Sequence, residues 1–309
     1  MKYKKDSLGD RMKGYENETR YYLTGKNPII VRLDGKAFHT FTKGFQKPFD
    51  NILEMTMRKT MLYLCENIQG VSFAYTQSDE ISLLLTNINM TPEYQHWFNG
   101  NIQKMASVSA SMATMAFNHY FWDEVWENIN PNDIDETPYW NSKPFDRNDD
   151  EYGNPKYAMF DSRVFSLPHH EVVNYFIWRQ QDAIRNSKQA LGQAHFSQNQ
   201  LHGKNCDQIC KMLKTEKEID WHSLPVYQQR GVCARKRTYE RWTPQTTKLE
   251  FKFLTGQSGN LTLIFQSLLK IEVMLHSMRD PLPKSRTCGK HFGGICNGRC
   301  EDSCGTNHL

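Results

Sequence analysis

The sequence predicts an α/β protein of the α+β kind: a ferredoxin-like βαββαβ antiparallel sheet with one layer of helices, then a helical and basic C-terminal region. Three observations point there. Strand-length apolar runs alternate with two long helix-period stretches in the order strand, helix, strand, strand, helix, strand through residue 167. Only Ser78-Asp79-Glu80 separates the middle two strands, which makes them a hairpin. The second long helix carries Ser107, Ser109, Ala110, Ser111 and Ala113, small side chains that suit close packing on a sheet.

The elements follow in order. Residues 1–26 are polar, with helix-compatible charges at Asp10, Arg11, Lys13 and Glu16. Pro28-Ile29-Ile30-Val31-Arg32-Leu33 reads as a buried strand that stops at Asp34-Gly35. Pro48 and Asp50 open a helix with Asp50 as N-cap, and Ile52, Leu53, Met57, Met61, Leu62 and Leu64 keep its period to about Asn67. Residues 71–77 and 81–86 form the hairpin strands. Residues 98–121 form the second helix, with Ile102, Met105, Val108, Met112 and Met115 on one face. Residues 122–157 hold ten acids against three bases, with Pro131, Pro138, Pro144 and Pro155, and read as a long surface loop. Residues 159–167 form the fourth strand, closed by Pro168. Helices are expected over 169–195 and 206–216, and a basic hairpin or arm over 226–242. Residues 249–278 mix strand-like and helix-like runs. This divides the chain into 1–168, 169–280 and a Gly/Cys-rich tail at 281–309.

Composition excludes some classes. Aromatic residues at 12% and hydrophobic residues at 39% rule out a wholly disordered chain. Lys+Arg 38 against Asp+Glu 34 gives +4, mildly basic, which permits a nucleic-acid partner without requiring one. No run approaches the ~18 apolar residues of a membrane span, so no membrane association is expected. Met1-Lys2-Tyr3-Lys4-Lys5-Asp6 lacks an apolar stretch behind it, and Cys65, Cys206, Cys210 and Cys233 scatter like cytosolic thiols, so the expected location is cytoplasmic.

The chemistry gathers at the first strand and the hairpin. In this topology they are the two central strands, so Asp34 and Asp79 face one another across a few ångströms. Glu80 is expected on the other face of the strand. Carboxylates crowded on one sheet edge cannot all stay charged without a cation. A pair of Mg²⁺ ions fits, with hard oxygen ligands and open positions for phosphate. Two such ions clamp the attacking and leaving oxygens of a phosphoryl displacement. Gly35 lets a backbone carbonyl approach a metal closely. The alternative is a strand end beside an ordinary polar turn.

Arg32-Leu33-Asp34-Gly35-Lys36-Ala37-Phe38-His39, Phe45-Gln46-Lys47-Pro48-Phe49-Asp50 and Tyr75-Thr76-Gln77-Ser78-Asp79-Glu80 resemble the tRNA-His guanylyltransferase superfamily. Asp6-Ser7-Leu8-Gly9-Asp10-Arg11-Met12-Lys13 resembles its bacterial-type branch. The resemblance covers residues 6–121 and 159–242. It implies a polymerase-like palm in 1–168 and a tRNA-docking region in 169–280. It implies a Mg²⁺-dependent nucleotidyltransferase that extends the 5′ end of tRNA in the 3′–5′ direction. ATP activates a 5′-monophosphate, and the 3′-hydroxyl of GTP or another NTP then attacks it. By the same resemblance Asp34, Asp79 and the Gly35 carbonyl hold two Mg²⁺, supported by Glu80. Arg32, His39, Phe45, Lys47, Asp50, Ser78 and Lys104 contact the nucleotide, with Phe45 stacking near the base and Lys104 facing the triphosphate. The family's tetramer makes a homo-oligomer the expectation.

The match loosens beyond Trp178-Arg179-Gln180-Gln181-Asp182. Where the guanylyltransferases proper carry His-Ile-Asn-Asn-Leu-Tyr-Asn, this chain reads Ile184-Arg185-Asn186-Ser187-Lys188-Gln189-Ala190. That version resembles relatives associated with template-dependent repair of 5′-truncated tRNAs. Arg179, Arg185, Asn186 and Lys188, then Arg230, Arg235, Lys236 and Arg237 with Tyr239 and Trp242, form basic clusters suited to RNA phosphates and bases. Other readings are a cyclase or forward polymerase on the same palm, or a tRNA-binding module without chemistry. Cys288, Cys296, Cys300 and Cys304 are candidate ligands for a structural Zn²⁺, although their spacing is not the usual pair of C-x2-C motifs.

Overall fold

The computed structural model describes residues 7–24, 27–86, 95–128, 157–239 and 248–253. The described residues lie in one unit, Met1–Phe265, while Gln266–Leu309 form a second unit outside them. The tail cysteines and the run 254–278 therefore lie outside the described residues.

Helix α1 (Ser7–Asn17) buries none of its residues. Strand β1 (Ile29–Gly35) follows, then the one-turn α2 (Phe38–Phe41) and α3 (Asn51–Asn67). Asp50 caps α3 as expected, accepting from the Leu53 N–H at 2.9 Å. Strands β2 (Val71–Gln77) and β3 (Glu80–Leu85) form the hairpin, with a two-residue turn of Ser78 and Asp79 rather than three. Ser78 sits at φ 49°, the positive φ that tight hairpin turns require. Helix α4 (Ile102–Asn128) continues seven residues into the stretch expected to be a loop, because Phe121 and Val125 keep its inward period. The remaining 129–156 lie outside the described residues. Strand β4 (Phe160–Ser166), α5 (Val172–His195), α6 (Gln198–Leu201), α7 (Cys206–Lys217) and α8 (Val226–Arg230) lead to β5 (Val232–Tyr239) and β6 (Lys248–Phe253).

The strands form a six-stranded antiparallel sheet in the order β4-β1-β3-β2-β5-β6. The first four pair as the βαββαβ pattern requires. The stretch expected as a basic hairpin or arm over 226–242 instead holds α8 and the single strand β5 among its described residues, and β5 pairs with β6 from further along the chain to extend the sheet beyond β2. Gly231 makes the turn into β5 at φ 77°, where a Cβ would stand 2.5 Å from the Thr76 carbonyl oxygen.

One expectation is corrected: helices cover both faces, not one. Ile29, Val31 and Leu33 pack with Met57, Met61 and Phe117 under α3 and α4. The alternate face is apolar too, since Ile30 and Phe73 are buried, and α5 covers it. Phe73 meets Phe176 at 4.9 Å, and the Ser82 and Tyr175 hydroxyls lie 2.8 Å apart. A sheet with apolar residues on both faces needs two covering layers.

Candidate active site

Register builds the site. On the α5 face, Asp34 lies opposite Asp161 on one side and Glu80 on the other. The next rung places Arg32 opposite Arg163 and Ser82. A row of acids thus lies against a row of arginines. Cross-strand like charges repel, so the arginines are needed where they stand. Arg32 Nη2 is 2.9 Å from Glu80 Oε2 and 4.0 Å from Asp34 Oδ2. Arg163 Nη2 reaches Asp34 at 3.9 Å and Asp161 at 3.8 Å.

The hairpin turn is tied to the end of β1. The Gly35 N–H donates to the Asp79 carbonyl at 3.0 Å. Gly35 is favoured, since a Cβ there would stand 2.3 Å from Cδ2 of Phe38, a ring buried between α4 and the sheet, and one of the two would have to shift. The tie brings Asp79 within electrostatic reach of Asp34 and His39. Burial, chiefly, pushes the Asp79 carboxyl above its ordinary range; the Asp34 charge adds to this, while the Ser78 hydroxyl and His39 oppose it. Glu80 is also pushed up by burial, against the opposing pull of Arg179 and Arg32.

Glu80 shares the face of Asp34, contrary to the expectation, because the turn is two residues and Glu80 is already in register on β3. It is clamped rather than open, with Arg179 Nε 2.9 Å from Oε1 and Arg32 on Oε2. The Arg179 contact is ionic rather than an aligned hydrogen bond.

Several expected contacts fall elsewhere. Arg179 is 3% exposed, bound to Glu80 and Asp182 and stacked 4.1 Å from the Trp178 ring, so it faces the interior and not RNA. Phe45 is in the core, stacked on Phe121 at 5.8 Å and 1°, which removes its ring as a platform for a base. Asp50 is buried and accepts from the backbone of Gln46 as well as Leu53. Lys104 lies at the start of α4, beside Gln69, Gln95 and His96. That end of the sheet carries the Ile29–Leu85 pair, five strand residues or ~17 Å from Asp34. Lys104 therefore does not reach the carboxylates of its own chain.

His39, Lys47 and Ser78 are exposed, and His39 and Ser78 lie beside Asp79. Arg185 and Asn186 are exposed on α5, whereas Lys188 is half-buried, with Nζ 5.0 Å from the Trp221 ring. Arg230 offers its carbonyl to the Tyr75 hydroxyl at 2.7 Å. Arg235 and Lys236 fall on opposite faces of β5, because a strand alternates, and of Arg237 only the backbone is described. Sequence reasoning missed Asp161 and Arg163. The two-residue spacing of Asp161 and Arg163 on β4 was the available signal.

The donors suit Mg²⁺ chemically. Two carboxylates and a backbone carbonyl at one edge are hard oxygen ligands, and a cation there would offset both the burial of the Asp79 carboxylate and its repulsion from Asp34. Among the described residues no group of three or more His, Cys, Asp or Glu side chains has metal-site geometry, so such ions would draw other ligands from carbonyl, water and phosphate. No described helix is long and apolar enough to cross a membrane.

An antiparallel sheet whose central strand end and hairpin turn carry paired carboxylates suits a palm that handles phosphate through metal ions, and similarity to known proteins makes it a nucleotidyltransferase of one family. The family model described as "Thg1: tRNAHis guanylyltransferase" matches residues 9–168, and the chain belongs to that family. A bacterial Thg1-like protein solved in complex with ATP is 38% identical, with a TM-score of 0.69, covering 86% of this chain and 98% of that one. The complex of such a protein with GTP is 37% identical, with a TM-score of 0.64, covering 88% and 100%. The uncharacterized protein R259 of Acanthamoeba polyphaga mimivirus is 29% identical over 241 residues, covering 75% of this chain and 78% of its own length.

Proposed function

We propose that this chain extends the 5′ end of tRNA in the 3′–5′ direction, with ATP for activation and GTP or another NTP as the added nucleotide. The observation that carries the reading is Asp79 tied beside Asp34 through the Gly35 N–H. The bacterial relatives' complexes with ATP and with GTP support nucleotide use. A 5′-monophosphate oxygen displaces pyrophosphate from ATP, giving an adenylylated end. The NTP 3′-hydroxyl then attacks that end and releases AMP. Asp34, Asp79 and the Gly35 carbonyl would hold two Mg²⁺. When bound, such ions stabilise charge on the attacking and leaving oxygens. His39 and Ser78, exposed beside Asp79, and Lys47 orient the phosphates, while Arg32 and Arg179 hold Glu80 as a positioning group behind Asp34. The family's tetramer is the proposed assembly.

Repair of 5′-truncated tRNA is the favoured form of this reaction. The run Ile184-Arg185-Asn186-Ser187-Lys188-Gln189-Ala190, which resembles the repair-type relatives, supports this; within it Ser187 is buried and accepts the Trp221 indole N–H at 3.0 Å, while Arg185 and Asn186 are exposed. Incubation with 5′-monophosphorylated tRNA-His, intact or lacking its first nucleotide, plus ATP, labelled GTP and Mg²⁺, tests this. Extension of the truncated substrate alone is expected. Extension of intact tRNA-His would mark the dedicated guanylyltransferase, and incorporation into neither would overturn the reading.

A further inference from the structure

Beside the carboxylates stands a cation-and-ring assembly that the proposed chemistry has not used. Arg163 is 56% exposed, and its guanidinium touches Asp34 and Asp161 only at 3.9 and 3.8 Å, long for hydrogen bonds. Its fork of donors therefore remains available to an anion. Arg32, its cross-strand neighbour, is committed to Glu80. The Trp178 ring lies 5.9 Å from the Arg32 guanidinium and is 51% exposed. Trp178 packs against the Arg179 guanidinium at 4.1 Å and the Tyr175 ring at 5.9 Å. An exposed indole is a surface for stacking, and an exposed guanidinium beside Asp34 is a phosphate hook; Arg32 neighbours both.

We infer that Arg163 and Trp178 form a subsite for a phosphorylated nucleotide beside Asp34, Arg163 taking the phosphate and Trp178 the base. This rests on the proposed function, which places phosphates at Asp34. The nucleotide is the 5′-terminal residue of the RNA or a free NTP, and the chemistry is shared.

The test is equilibrium binding in EDTA, with tRNA transcripts carrying a 5′-monophosphate or a 5′-hydroxyl and, separately, with GTP. Arg163→Ala is expected to lose about 10- to 100-fold of the preference for a 5′-phosphate or of GTP affinity. Arg163→Lys recovers part of that loss, since charge remains without the fork. Trp178→Ala is expected to weaken 5′-phosphoryl and 5′-hydroxyl RNA alike, or GTP, by about 5- to 100-fold, with Trp178→Phe retaining most of the binding. Loss confined to RNA assigns the transcript end, and loss confined to GTP assigns the incoming nucleotide; either supports the site. Unchanged affinities in folded Arg163→Ala and Trp178→Ala proteins overturn it. Wild-type incorporation of labelled GTP is scored independently, so the subsite can fail while the proposed reaction stands.

Discussion

Replacing Arg179 by Met deletes a buried charge while keeping most of the stem's volume. Glu80, with its side chain 6% exposed, would be left with Arg32 alone at 2.9 Å. Breaking one side of a buried ion pair costs about 3–5 kcal/mol, and the remaining arginine argues for the lower end, ~3 kcal/mol. At roughly 2–4 °C per kcal/mol for a chain of this size, melting should fall by about 6–12 °C. The pH dependence has a definite sign. Burial already raises the Glu80 carboxyl, and Arg179 is the largest influence opposing it, so its removal raises the carboxyl further. Such a group keeps its proton in the folded state over a window where the unfolded chain has released it, so stability falls as pH rises through that window. The deficit should be small in acid and grow toward neutral pH. Glu80→Leu combined with Arg179→Met should recover most of the stability, because apolar replacement of a buried pair is close to neutral. Thermal and urea melts from pH 4 to 7.5 measure this, alongside the salt dependence of tRNA binding. A residue that contacts phosphate would lower the log–log salt slope by roughly 0.9. Arg179→Met melting with wild type, while losing that slope, would refute the interior assignment.

Three further outcomes follow from the same coordinates. Asp79→Asn should abolish nucleotide incorporation yet melt higher than wild type at pH 7. Its carboxyl is raised by burial and by Asp34, so ionisation is a liability that disappears in acid; equal or lower melting at pH 7 would contradict this. Phe45→Ala should cost about 3–5 kcal/mol in urea melts, with the KM for GTP unchanged in the folded protein, because the ring packs on Phe121 rather than on a base. Gly35→Ala should cost about 1–3 kcal/mol by chemical denaturation, since its methyl would collide with the Phe38 ring; a neutral result would mean that the ring moves freely.

Local features carried far in the sequence. The Asp50 cap, the two long helices, the hairpin and the meeting of Asp34 with Asp79 depend on short-range pattern and strand order, and all were legible. The failures were of two kinds. Family resemblance points to Phe45, Asp50 and Lys104 as ligand contacts; burial removes the first two from solvent, and distance along the sheet removes the third from its own chain's carboxylates. Sequence spacing groups Arg179 with Arg185 and Arg235 with Lys236 as basic clusters, but α5 turns Arg179 inward and β5 splits Arg235 from Lys236.

Residue order alone established the alternation of strand and helix and the acids at the ends of two adjacent strands, because period and turn length act within a few residues. Which acids share a face was settled by folding. Pairing of β1 with β4, strands separated by more than a hundred positions, sets Asp161 and Arg163 against Asp34 and Arg32. No local pattern encodes that register. It arises from burying both faces of the sheet at once, and a shift of one residue would turn every one of these charges to the other side.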